Sequence, residues 1–205
     1  MLKSSTGRRL YFIADMLLQF IVLNLLWLVF TVVGFIVFGI FPASIAACYI
    51  MRKRIVEQED IPIFSSFWEV YKQSFVRGNV LFSMVIALSL ILYIDFSAIT
   101  YFDSMMSTIV GVGLIIIVFF LLIMVFYSLP LLSITSDRSF KVMKNGLLMG
   151  LANPLATMVV FIIILAIRVV YGYLPTLLPL FGIMPLLLAC TVAFQKSFKK
   201  LGQPL

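Results

Sequence analysis

MLLQFIVLNLLWLVFTVVGFIVFGIFPASIAACYIM, residues 16–51, contains no charged side chain. The run is longer than the roughly 20 apolar residues that cross a bilayer as a helix. Extended back to residue 10, with Asp15 as its one charge, it is too long for one crossing and about right for two. A second uncharged run covers residues 104–136. These runs decide the fold class: an all-α, polytopic bundle of transmembrane helices.

The rest of the composition agrees. The 205 residues are 63% hydrophobic and 11% charged, with mean hydropathy +1.20. A soluble domain is nearer half apolar and a quarter charged, and a water-soluble fold this apolar would expose large greasy patches. The first apolar stretch lacks a small-residue cleavage site followed by a polar region, so it reads as a permanent span.

The net charge of +7 comes from short basic clusters between spans. That pattern reads as orientation in the membrane. Nucleic-acid binding is not expected, because the polar segments are too short for a recognition module.

Along the chain, spans are expected at about residues 10–33, 42–57, 79–99, 107–134, 154–171 and 176–194. Together they make a single membrane domain over 1–205. Gly34 and Gly39 loosen the middle of the first run, and Pro42 is placed to open the second helix at its first turn. Phe64, Phe67, Trp68, Tyr71 and Phe75 recur at helical spacing, and Ser66 with Glu69 resembles a capping box. This stretch reads as an amphipathic helix on the cytoplasmic surface. A second such helix is read over 135–153 from Phe140, Met143, Leu147 and Leu151. The two surface segments, 67–79 and 140–153, also suggest a loose internal repeat.

Orientation follows from Lys and Arg, which favour the cytoplasmic side. Arg52, Lys53 and Arg54, the Arg138–Lys144 group, the tail lysines and the N-terminal Lys3, Arg8 and Arg9 all go inside. The turns at Asp103 and Gly172 then lie outside. Six spans with both termini cytoplasmic satisfy this. Five spans with an external N-terminus are the rival.

Several residues are candidates for more than packing. The broken segment from Gly34 through Gly39 to Pro42 reads as a bend joining two helices. The rival is a substrate site, since broken helices leave backbone groups free to line a cavity. Asp95 and Arg168 are ionisable residues inside spans, about 24 Å and 21 Å from the inner helix ends, and a charge pair between them would lower their cost in lipid. Gly146 and Gly150 form GxxxG, read here as incidental in a basic surface segment. Trp27, Trp68 and the tyrosines read as interface or packing residues.

No catalytic constellation is visible. Histidine is absent, which removes the commonest general base and metal ligand. Cys48 and Cys190 are two separated cysteines, not a metal motif, and there is no phosphate-cradling glycine loop. No enzyme activity, cofactor or metal is expected.

The run Leu23-Asn24-Leu25-Leu26-Trp27, then Gly34, then Phe38-Gly39-Ile40-Phe41-Pro42-Ala43 and Arg52 resembles the bacterial YesL-like family. Ile61-Pro62-Ile63-Phe64, Phe67-Trp68, Phe75, Asn79 and Tyr93-Ile94-Asp95 extend the resemblance, which covers mainly residues 7–95. The family is a membrane domain of unknown biochemical function. Its members are often encoded beside carbohydrate importers or two-component regulators in Gram-positive bacteria. The resemblance therefore implies a plasma-membrane accessory to carbohydrate uptake or sensing. Its implied partners, besides membrane lipids, are subunits of a carbohydrate ABC importer or a membrane sensor kinase. The contact is expected through the segment from Arg52 to Gly78. A small-solute transporter with its site at the helix break is the alternative.

Overall fold

The computed structural model describes residues 5–99 and 104–200. Lys3 and Asp103, on which part of the orientation reading rests, and residues 201–205 lie outside them. The helices are α1 (Ser5–Val33), α2 (Ile40–Met51), α3 (Ile63–Ala98), α4 (Ser104–Leu132), α5 (Ser139–Ala152), α6 (Pro154–Tyr173), α7 (Leu178–Phe181) and α8 (Met184–Lys200). A π-helical turn, Arg52–Val56, continues α2, and a 3-10 turn, Pro175–Leu177, leads into α7. Among the described residues there is no strand.

The core is built around α2. Ala43, Ile45, Ala46, Ala47, Cys48, Ile50 and Met51 are all fully buried. A helix that is apolar all round belongs in the middle of a bundle, and alanines let neighbours approach closely. α2 packs along α3 and also touches α1, α4 and α8. Cys48 and Cys190 are free thiols buried in α2 and α8.

Among the described residues, four helices are long and apolar enough to cross a membrane: 14–33 within α1, α3, α4 from Met105, and α6. A fifth crossing results if 175–181 and 184–200 count as one span bent by 57°. This is the layout of a multi-pass membrane protein. The second expected span, 42–57, is not a full-length helix. α2 has 12 residues, about 18 Å of rise against a hydrocarbon core of roughly 30 Å.

Six other expectations change. The surface helix near Phe64 and the span at 79–99 are one uninterrupted helix of 36 residues, α3. Gly78 costs a helix only about 1 kcal/mol, and its missing side chain admits α2: a Cβ there would stand 3.0 Å from Ile45 Cδ1 and 3.4 Å from Pro42 Cγ. The helix starts after Pro62 without a side-chain cap, so Ser66 and Glu69 are not a capping box.

Pro42 is the third residue of α2, not the first. It remains in the first turn, where its missing N–H has no intrahelical acceptor to lose.

The GxxxG of α5 is a real helix contact. A Cβ on Gly146 would stand 2.7 Å from Ser128 Oγ, and one on Gly150 would collide with Ile123 Cγ2. The buried face of α5 is therefore Val142, Met143, Gly146, Met149 and Gly150, while Phe140 and Leu151 are exposed.

The last span breaks at Gly182, with φ +46. The internal repeat also fails, because Asn79 lies within α3 whereas Asn153 separates α5 from α6.

Candidate functional site

Two places gather the residues singled out from the sequence. The first is the turn between α1 and α2. Gly34 N–H donates to Phe30 O at 3.0 Å, Ile36 N–H to Thr31 O at 2.8 Å, and Ala43 N–H to Gly39 O at 3.0 Å. Gly34 and Gly39 lie face to face: a Cβ on Gly34 would collide with Gly39 Cα. Phe35 and Ile36 take left-handed backbone, φ 57 and 63, which a β-branched residue rarely adopts. The tip side chains Phe35, Ile36, Val37 and Phe38 are all apolar and exposed.

The last residues of α1 and the turn meet α3 in the order of α3's own sequence. Phe30 is ringed by Phe64, Phe67, Trp68 and Tyr71, with centroids 6.2, 5.2, 5.4 and 5.1 Å away. Tyr71 donates its hydroxyl to Phe30 O at 3.0 Å. Further along, Phe38 lines a groove with Phe75 and Asn79, and Phe41 meets Phe82 at 4.9 Å. The expected aromatic stripe of α3 is thus a seat for α1. Phe67 is buried, whereas Phe64 and Trp68 keep an exposed edge. Lys72 sits over the Trp68 ring at 4.9 Å.

The second place is a polar cleft of about 1110 Å³ where α2 ends. One wall is Tyr49, Arg52, Lys53, Glu57 and Glu59; the α4–α5 connection, α5 and Phe198 of α8 form the others. The π turn is closed by Glu57 N–H donating to Arg52 O at 2.9 Å. Such wide turns recur at functional sites. Here the turn keeps Arg52 only 7% exposed. Its Nη1 donates to Glu57 Oε1 at 2.7 Å, the guanidinium stands 5.6 Å from the Tyr49 ring centroid, and the buried Nε has no partner.

Lys53 pairs with Glu59 at 2.9 Å and Glu57 at 3.1 Å. The hydrogen bond from Lys53 draws the exposed Glu59 carboxyl below its ordinary pKa. Arg54 donates to Ile61 O at 2.9 Å and lies 3.5 Å from Asp60.

Residues absent from the sequence-derived candidates complete the site. Arg77 Nη1 donates to Thr135 O at 2.6 Å, and Ser139 Oγ donates to Arg77 O at 2.9 Å. These bonds tie α3 to the α4–α5 connection beside the cleft. Asn24 Nδ2 donates to Pro179 O at 2.8 Å, and Tyr171 donates to Gly182 O at 2.7 Å, locking the broken last span. The Pro179, Gly182 and Pro185 spacing was the available signal for that break.

Asn79 donates to Phe75 O at 2.8 Å, and its buried Oδ1 has no partner. Asp95 and Arg168, a candidate pair with separate contact to headgroup water as the rival reading, do not meet within one copy. Both are exposed, and neither belongs to any ion pair among the described residues.

Fold and site define a small multi-pass helical membrane protein with a charged cleft beside its central helix. Residues 20–96 match the family described as "Protein of unknown function, DUF624". Over 87% of the chain it is 34% identical to "Uncharacterized protein YteU" of Bacillus subtilis (strain 168), covering 80% of that protein. It is 33% identical to "Uncharacterized protein YesV" of the same organism, over 88% of the chain and 87% of the relative. "Uncharacterized protein YesL" is 26% identical over 66% of the chain and 64% of its own length. The chain belongs to this YesL-like, DUF624 family. No solved structure matches it.

Proposed function

We propose that the protein is a non-enzymatic accessory of the bacterial plasma membrane that docks onto a larger membrane assembly through its polar cleft. The assembly is a carbohydrate ABC importer or a membrane sensor kinase. The observation that carries this reading is the cleft itself. It presents charges of both signs around the buried Arg52, with the aromatic rings of Tyr49 and Phe198 on its walls. A surface of mixed charge with aromatic anchors suits a protein partner.

The same reading puts the cleft on the cytoplasmic side, where Lys and Arg clusters belong. The start of α3 and α5 then lie at that surface, and both termini face the cytoplasm. In this arrangement α1 and α2 enter and return as a hairpin, and the chain passes six times. α2 and the π turn together supply residues 40–56, about 25 Å of rise.

Photocrosslinking from Glu59, which is half-exposed at the cleft edge, tests the docking. Membranes should yield an adduct with an importer permease or sensor kinase subunit, and charge reversal at Lys53 should weaken it several-fold. Saturable solute uptake by liposomes holding this protein alone would refute the accessory reading in favour of a transporter.

A further inference from the structure

The outer halves of α3 and α4 stand almost free of the bundle. None of residues 82–98 is buried, and of residues 105–122 only Leu114 is. Lipid accepts apolar side chains there. It does not readily accept Asp95 of α3 and Arg168 of α6, which are both exposed within apolar spans. Charged residues at membrane depth usually find a partner or water.

The two charges share one height. At one end Arg77 of α3 bonds Thr135, just beyond α4. At the other end Ile99 lies against Gly111, where a Cβ would stand 3.7 Å from Ile99 Cδ1. α3 and α4 are therefore antiparallel, and Asp95, one helical turn before Ile99, is level with Ile115 of α4. On the other flank Tyr127 of α4 bonds Thr157 of α6 at 2.9 Å. Further out, Phe161 of α6 stacks on Phe119 at 4.8 Å and meets Phe126 at 6.2 Å. Phe161 is thus level with about residue 122, and Arg168, about two turns further along α6, is level with Ile115 and Ile116.

α4 stands between the two charged helices. Its side chains at that height, Ile115 and Ile116, are 66% and 49% exposed. A two-fold axis along the membrane normal beside these isoleucines would bring α3 of one copy against α6 of the other. A surface with complementary charges on opposite flanks of its centre is self-complementary under such an axis.

We propose that the outer halves of α3, α4 and α6 form a homodimer interface in the membrane, in which Asp95 of each copy pairs with Arg168 of the other. The occupant of this face is a second copy of this chain, and the symmetric pairing favours a closed dimer over a chain of subunits. The proposal does not depend on the accessory reading, which concerns the cleft.

The test counts subunits per particle by single-molecule photobleaching after dilution in lipid vesicles. The intact protein should be dimeric. Asp95→Arg and Arg168→Asp should each weaken the dimer at least about tenfold, as expected for like charges brought together at membrane depth. The double variant, Asp95→Arg with Arg168→Asp, should restore it. Asp95→Asn and Arg168→Gln, which keep side-chain shape, provide the same comparison should a charge reversal fail to fold. A monomer at every protein-to-lipid ratio, or a dimer indifferent to either residue, would overturn the proposal. Assemblies larger than a dimer would overturn the two-fold arrangement.

Discussion

Gly39 is the residue on which the N-terminal half turns. A Cβ there would collide with the Thr31 carbonyl and stand 2.7 Å from Thr31 Cα and 2.8 Å from the Phe30 carbonyl. All three are backbone atoms, so no side chain can swing aside. Gly39→Leu should therefore cost about 3 kcal/mol or more and lower the yield of folded protein in the membrane. Leu165→Ala, at a lipid-facing position 66% exposed, should cost much less. Equal melting temperatures for the two variants in detergent would show that the turn carries no special constraint. Ile36 makes the opposite prediction. Its left-handed φ of 63 costs an L-residue roughly 1–2 kcal/mol, and its side chain is largely exposed. Ile36→Gly should raise the melting temperature by a few degrees, and a fall would mean that the exposed tip is held by contacts with its surroundings. Gly39 and Pro42 were legible in the sequence because glycine and proline punctuate apolar runs. Asn24 was not, because its partner Pro179 lies 155 residues away and a polar residue in a span carries no pointer to its acceptor.

At the scale of elements, hydropathy set the spans but not where helices join. α3 runs on past Gly78 because nothing in the segment blocks a helix after Pro62, whatever polarity changes along it. A change from mixed to apolar sequence marks a change of environment, not a helix end. The α4–α5 contact was hidden for a related reason. GxxxG beside basic residues looks accidental until its partner is known, and here the partner is the half of α4 around Ile123 and Tyr127. Besides meeting Ile123, a Cβ on Gly150 would stand 3.3 Å from the Tyr127 ring, and Gly150 O accepts the Thr157 hydroxyl at 2.8 Å. Gly150→Leu should lift α5 from α4 at a cost of about 1–3 kcal/mol. Limited trypsinolysis of proteoliposomes should then cut faster after Lys141 and Lys144. Leu151→Ala, on the exposed face of the same helix, should leave the cleavage rate unchanged. Equal rates for both variants would sink this account of the glycine face.

At the scale of the whole molecule, the membrane layout was legible because long uncharged runs have few other physical solutions. The short, largely buried α2 and the bend at Gly182 were not, because a window of hydropathy scores length and greasiness without seeing which neighbours surround a helix. The side on which α1 begins decides how the cleft is reached. Phe30, Gly34, Phe38 and Phe41 meet successively later residues of α3, so the α1–α2 turn advances along α3 before α2 descends beside it. The basic N-terminal sequence favours a start of α1 on the cytoplasmic side. A cysteine scan can decide this against a quiet background, because the native Cys48 and Cys190 are both fully buried. Ser4→Cys should resist a membrane-impermeant maleimide in intact cells and react once the membrane is opened. Tyr173→Cys, at an 84% exposed position at the opposite end of α6 from the cleft, should react in intact cells. Labelling of Ser4→Cys from outside would reverse α1, reduce the crossings to five and leave the α1–α2 turn on the cytoplasmic side of the bundle.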